Sequence, residues 1–191
     1  MPAKKPQSSS KAKILSATSD LFLSGGIAAL SVRAIAERAG VSTIGIYSHF
    51  KGKDGLLEAL YIEGFVLLRE SMKVDNPNDP KGSALAACER YLDIAENNQA
   101  HYQLIFGDAG ADYVPSDAAR TASIEAFGRL LSFASILLPD DASAEMKQKK
   151  AIEVWAMLHG FVSLKRHSVV QLMPAMDWRA AIMESLEKLI L

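Results

Sequence analysis

Apolar and semi-apolar positions recur at three- and four-residue spacing along almost the whole chain. Near the amino end Ile14, Ala17 and Leu21 interleave with Leu15, Thr18 and Phe22, which predicts an amphipathic helix closed at Gly25-Gly26. Ser31 is placed to N-cap a short second helix, Val32–Ala39, that Gly40 ends. Ser42 is placed to cap a third running to about His49. A longer fourth helix, from Lys53 to about Lys73, carries Leu56, Leu57, Leu60, Phe65 and Leu68 until Asn76-Pro77-Asn78-Asp79-Pro80 stops it. Beyond that break Gly82–Asn97 and Gln99–Phe106 read as helices and Gly107–Pro115 as a loop. Ser116–Leu137 reads as a long helix ended at Pro139-Asp140-Asp141, and Ala142–Val170 as another. After Pro174, the residues Trp178, Ala181, Ile182, Ser185, Leu186, Leu189 and Ile190 make one clean stripe. No segment alternates with the period of a strand, so the expected fold is all-α.

The proline-rich break is the natural place to divide the chain. It gives an amino-terminal arm and three-helix domain over residues 1–52, a connecting helix over 53–75, and a larger helical domain over 76–191. A length of 191 residues fits this, at roughly 100–200 residues per domain. With 49% hydrophobic and 23% charged residues the composition is that of a globular protein. The longest apolar stretches, Leu130–Leu138 and Ala151–Leu164, are interrupted by serines, Glu153 and His159 and fall short of the roughly 20 residues a membrane span needs. No charged-then-apolar leader follows Lys4 and Lys5, and the single Cys88 admits no intrachain disulfide, so a reducing, cytoplasmic setting is expected.

Charge is unevenly placed. Residues 1–60 hold eight Lys and Arg against four acids, and residues 61–191 hold thirteen against eighteen. The amino-terminal excess sits in Lys4, Lys5, Lys11 and Lys13, because residues 14–60 balance at four against four. Such an arm attracts polyphosphate, and it serves equally as a solubilising tail.

The segment Val32–Tyr47 has what a helix-turn-helix requires. Ala36 is small where two helices cross, Gly40 accepts the positive φ of the turn, and Ile35, Val41 and Ile46 hold the angle. In such motifs the second helix enters the DNA major groove and the first crosses the backbone. Thr43, Ile44, Gly45 and Ser48 then face bases, and Ser42, at the start of the same helix, is expected at the DNA with them. Tyr47 and His49 offer donors to phosphate oxygens while Phe50 turns back as an apolar plug. Lys53 adds its charge to the positive end of the fourth helix, and Ser31 and Arg33 stand in the same way at the second. The plainer alternative makes Tyr47 a core residue, His49 a surface imidazole and Lys53 a solvated charge.

Ser31-Val32-Arg33-Ala34-Ile35-Ala36-Glu37-Arg38-Ala39-Gly40-Val41-Ser42, followed by Tyr47-Ser48-His49-Phe50-Lys51-Gly52-Lys53, resembles the TetR family of transcriptional regulators over about Lys11 to Leu60. The rest matches in being helical, apart from Trp155-Ala156-Met157-Leu158-His159-Gly160, which is similar to a pattern in one subgroup. The resemblance implies a homodimer on a palindromic operator, expected to act as a repressor and to be released by a small-molecule effector. Ile44 stands where many relatives have glycine, so base preference does not carry over.

The near-neutral motif would neutralise few phosphates as a single copy, which also points to two copies on double-stranded DNA. The helix around Ala151–Leu164 is apolar on nearly every face, and Gly160 within it costs about 1 kcal/mol relative to alanine, as though another backbone approached there. Gly160, Leu164, Trp178, Ile182, Leu186 and Leu189 are therefore expected at a four-helix dimer interface. Tyr91, Tyr102, Phe106, Phe127 and Trp155, with His159 as a polar anchor, supply the lining expected of a mostly apolar effector pocket. No HExxH, G-x-S-x-G, P-loop or dinucleotide fingerprint is present, so neither an enzyme nor a bound cofactor or metal is expected. A helical ligand-binding module without DNA-binding activity is the remaining alternative.

Overall fold

A computed structural model of the chain describes residues 9–107, 113–168, 170 and 176–190. Lys4, Lys5, most of the expected 107–115 loop and Pro174 lie outside these residues. Among the described residues there are nine α-helices and no strand. They are α1 (Ser10–Gly25), α2 (Val32–Ala39), α3 (Thr43–Phe50), α4 (Lys53–Ser71), α5 (Pro80–Asn97), α6 (Gln99–Phe106), α7 (Asp117–Ser135), α8 (Ala144–Lys165) and α9 (Trp178–Ile190), with a 3₁₀ turn at Gly26–Ala29. No helix among them is long and apolar enough to cross a membrane.

The caps explain most of the boundaries. Ser9, Ser31, Ser42, Asp79 and Ser143 each accept a backbone N–H from three residues ahead. Asp79 with Pro80 at the first helical position starts α5 two residues before the glycine that the pattern pointed to. The eighth helix stops at Lys165, short of the expected Val170. Arg166 turns its backbone N–H to Ser163 O at 3.2 Å, while its guanidinium donates to Ala95 O at 2.7 Å.

The described residues pack as two compact units. Of these, the first takes the residues up to Gly64 and those between Gln99 and Arg120, the second Phe65–Asn98 and those from Thr121 onward. In the first, Ile14, Phe22, Leu30, Ile35, Ile46, Phe50, Leu56 and Leu60 form one core, and Ala100 and Leu104 of α6 are buried in it with them. The sixth helix is thus built into the base of the three-helix motif. Glu63 and His101 meet at 3.1 Å across the α4–α6 seam, and a Cβ on Gly64 would lie 3.3 Å from His101 Cβ. Glu58 accepts the hydroxyl of Ser116, whose oxygen also caps α7 at Ala119 N.

In the second unit α5, α8 and α9 pack on one another. Ala84, Ala87, Cys88 and Leu92 of α5 are buried, as are Ala151, Val154, Leu158 and Val162 of α8 and Ile182, Leu186 and Ile190 of α9. Arg179 pairs with Glu89 and Asp93, Lys165 pairs with Glu96 at 2.8 Å, and Lys150 Nζ donates to Leu189 O at 3.1 Å. These half-exposed pairs fix the register of the helices more than they add stability.

Candidate nucleic-acid interface

Two caps and one turn position the outer helix of the motif. Ser31 Oγ accepts from Ala34 N at 3.1 Å to start α2. Gly40 then adopts φ 64°, ψ 39°, and its N–H and that of Val41 bond back to Glu37 O and Ala36 O. Ser42 Oγ accepts from Gly45 N at 3.2 Å and starts α3 at once. Only a residue free of Cβ strain serves comfortably at such a left-handed corner. The α3 helix is anchored by Ile46 at 0% exposure and Phe50 at 5%.

Its other face is bare. Ser42, Thr43, Ile44, Tyr47, Ser48 and His49 are all exposed, Ile44 at 78% and Tyr47 at 58%. Tyr47 is therefore not a core residue, and its ring edge lies over Gly52, where a Cβ would come within 3.3 Å of Tyr47 Cε1. Ser48 Oγ donates to Gly45 O at 2.9 Å, which leaves the hydroxyl oxygen as an acceptor. Gly45 is half-buried, and Ser31 and Arg33 are exposed at the start of α2. Lys53 is more constrained than a solvated charge: it is half-buried, and its ammonium donates to Ile27 O at 2.9 Å. Two of its three protons remain for another acceptor.

Lys11, expected only as part of the basic arm, and Gly55, which the sequence did not single out, also shape this face. Lys11 Nζ sits 5.8 Å from the centroid of the Phe50 ring, which ties the first turn of α1 to the end of α3. On Gly55 a Cβ would overlap the Phe50 carbonyl oxygen and lie 2.8 Å from its carbonyl carbon, so this glycine sets how closely α4 approaches α3. The one available signal was a glycine inside the first turn of a helix. Lys51 caps α3 at φ 59°, the one non-glycine positive φ among the described residues.

The residues expected to line an effector pocket do not share a unit. Tyr102 and Phe106 stand on α6 in the first, their rings 5.1 Å apart edge to face, whereas Tyr91, Phe127, Trp155 and His159 belong to the second. Tyr91 and Tyr102 are buried, and Phe106, Phe127, Trp155 and His159 are half-buried. Burial, and secondarily the charge of Arg166, hold the His159 imidazole below its ordinary pKa. A cleft of about 450 Å³ between α1 and α2 is lined by Lys13, Ser16, Asp20 and Arg38 and contains none of these six.

The expected interface residues also divide. Ile182 and Leu186, at 3% and 0% exposure, are buried within their own chain and have no side-chain surface to offer a second copy. Periodicity marked their face correctly as apolar, but α5 and α8 of the same chain cover it. Trp178, half-buried, meets Phe161 edge to face at 6.2 Å, and Leu189 is also half-buried. Leu164 is 54% exposed, and a Cβ on Gly160 would meet nothing within 4 Å. Ile152, 42% exposed, and exposed Ala156 continue the same strip of α8 in steps of four residues.

Residues 14–60 match the model of bacterial regulatory proteins of the tetR family, and residues 84–188 match that of the tetracyclin repressor-like C-terminal domain. The chain is 31% identical over 113 residues to the HTH-type transcriptional activator FasR of Mycolicibacterium smegmatis (strain ATCC 700084 / mc(2)155), an alignment covering 57% of this chain and 49% of that protein. It therefore spans about half the length of that relative. Among solved structures, the fold is shared with the TetR family transcriptional regulator PfmR from Thermus thermophilus, at TM-score 0.66 and 18% identity, covering 93% of this chain and 96% of that one. It is shared also with NalD, the secondary repressor of the MexAB-OprM multidrug efflux pump in Pseudomonas aeruginosa, at TM-score 0.62 and 18% identity, covering 94% of each chain.

Proposed function

Because the chain belongs to the TetR family of transcriptional regulators, with a DNA-binding domain followed by a ligand-binding one, we propose that it binds a palindromic operator as a homodimer through α3, represses there, and is released by a small apolar effector. The observation that carries this reading is the outer face of α3. A helix locked by Ile46 and Phe50 holds Ile44 and Tyr47 out in solvent among four hydroxyl- or imidazole-bearing side chains. In this reading Thr43, Ile44, Gly45 and Ser48 face bases. Ser31, Arg33, Ser42, Tyr47, His49 and Lys53 hold phosphates and so fix the register. Lys53 would then bridge a phosphate and the Ile27 carbonyl, linking the start of α4 to the DNA.

Two copies placing their α3 helices about 34–36 Å apart would read a two-fold site. The strip of exposed Ile152, Ala156 and Leu164 with half-buried Gly160, and half-buried Trp178 and Leu189, supports the pairing. The effector would act by favouring one of two arrangements of the recognition helices. The placement of α6 gives that change a route, since Ala100 and Leu104 share a core with Ile46 and only Asn98 separates α6 from α5.

The test is a titration of duplexes selected from genomic DNA, at several salt concentrations. Binding is expected to weaken linearly in log–log form, by about 0.9 per phosphate contacted. Tyr47→Ala and Lys53→Gln should weaken every duplex alike, whereas Thr43→Ala should change which sequence is preferred. Wild-type affinity in Tyr47→Ala would overturn the assignment of α3. A wild-type chain that binds no duplex would leave a helical ligand-binding module instead.

A further inference from the structure

Resting on the reading that α3 enters the major groove, we propose that Ile44 reads the 5-methyl group of a pyrimidine in each operator half-site, a thymine in unmodified DNA. Ile44 lies in the first turn of α3, the end that reaches base edges when such a helix docks, and it is 78% exposed. Its β-branch leaves one strongly preferred χ1 on a helix, so the side chain is a stiff knob with little conformational freedom to lose on contact.

Beside it stands Gly45, which the fold does not need. Its φ is not in the left-handed region, and a Cβ there would meet only Ser42 Oγ at 3.7 Å, an ordinary contact. Glycine also weakens a helix of eight residues relative to alanine. An apolar knob next to bare backbone thus breaks two local rules that packing does not explain, and such breaks are expected where function demands them. In the major groove guanine, adenine and cytosine present only donors and acceptors; the 5-methyl of thymine is the apolar feature of a base edge. The missing side chain at position 45 lets that edge come close, and the isoleucine covers the methyl.

The experiment uses the full chain and a duplex that it selects from a random oligonucleotide pool. Each thymine is replaced in turn by deoxyuridine, which removes only the methyl. At one thymine per half-site binding is expected to weaken about fourfold, the worth of one buried methyl-sized group, and about fifteenfold when both half-sites are changed. Ile44→Ala should bind the thymine and uracil duplexes equally, and Ile44 is too exposed for that change to threaten folding. In the wild type, 5-methylcytosine at that position should bind more tightly than cytosine if the methyl alone is read, and equally if the thymine carbonyl is needed as well, which would overturn a methyl-only readout. Gly45→Ala should melt no lower than wild type yet bind the selected duplex more than tenfold less tightly; unchanged binding would overturn the close approach. If wild-type binding tolerates uracil at every thymine, methyl readout is overturned while salt-dependent DNA binding still stands. If Ile44→Ala still discriminates, the methyl is read by another residue. If no duplex is selected, the DNA-binding reading itself fails.

Discussion

Gly55→Ala tests whether the α3–α4 junction sets the pose of the recognition helix. The added Cβ would overlap the Phe50 carbonyl oxygen and sit 2.8 Å from its carbonyl carbon and 3.6 Å from its Cα. All three atoms are backbone, so no rotamer change relieves the clash. Carbon atoms pack at about 3.5–4.0 Å, so clearing the carbonyl carbon alone requires the end of α3 to withdraw by roughly 1 Å, and the overlapped oxygen requires more. It has little room to do so, because Phe50, Leu56 and Leu57 are 5%, 0% and 3% exposed. Overpacking costs about 1–3 kcal/mol, an overlap this severe on unyielding backbone takes about 2–3 kcal/mol of that range, and the helix propensity of alanine returns about 1 kcal/mol. The net expectation is a loss of about 1–2 kcal/mol, or a fall of roughly 5–15 °C in the melting of the first unit. Gly128→Ala is the control: that residue is exposed on α7 with nothing within 4 Å of its Cβ position, and alanine should stabilise by about 0.5–1 kcal/mol. Thermal unfolding by circular dichroism gives the stabilities, and hydrogen exchange of the α3 amides localises the change. Because α3 is displaced as well as destabilised, affinity for a selected duplex should fall even at temperatures where the variant is fully folded. A Gly55→Ala protein melting at or above wild type, with α3 amides protected as before, would refute the reasoning.

Two further outcomes concern the second unit. Gly160→Ala adds a methyl where the chain itself places nothing within 4 Å, so it should stabilise an isolated chain but weaken pairing of two copies through that face, by tenfold or more in the dimer dissociation constant. Sedimentation equilibrium checks it, and a wild type that sediments as a monomer at micromolar concentration would count against the dimer. His159 is held below its ordinary 6.5 by burial and then by Arg166. As pH falls the unfolded chain takes up this proton first, so the stability it confers is fully present above about 6.5 and is lost as pH drops through the lower folded value. Urea midpoints measured from pH 7 to 5 should decline less in His159→Gln than in wild type; identical declines would show that His159 does not govern that range.

The helix-turn-helix was legible because its determinants are local. Ser31, Gly40 and Ser42 act on atoms within four residues of themselves, and the structure places all three as caps and corner. Tyr47 was harder, since spacing alone allowed either core or surface, and the decision rests with Gly52 and the packing of Phe50. Long-range partnership was not legible. The apolar positions of α6 announce that Ala100 and Leu104 are buried, but nothing in the sequence says that α1, more than seventy residues earlier, packs against their helix. The stripe of α9 failed in the same way: a period of 3.6 identifies the face that avoids water, and either a second copy or the same chain can satisfy it. Here α5 and α8 satisfy it for Ile182 and Leu186.

The arrangement of charge bears on how such a motif holds DNA at all. Residues 14–60 carry no net charge, and the fold engages some of the cations they have: Arg38 pairs with Asp20 at 2.9 Å, and Lys53 donates to Ile27 O. Exposed Arg33 and Lys51 remain near the face with the two other protons of Lys53, joined by Lys11, which the ring of Phe50 holds beside the end of α3. So few cations release few counterions, and non-specific attraction is correspondingly small. Tight binding then requires a second copy, which doubles the phosphates engaged, and side chains that reach the bases already fixed in place. A capped, anchored α3 with a stiff exposed isoleucine meets the second requirement, which is why a weakly charged motif is better suited to choosing a site than to travelling along DNA.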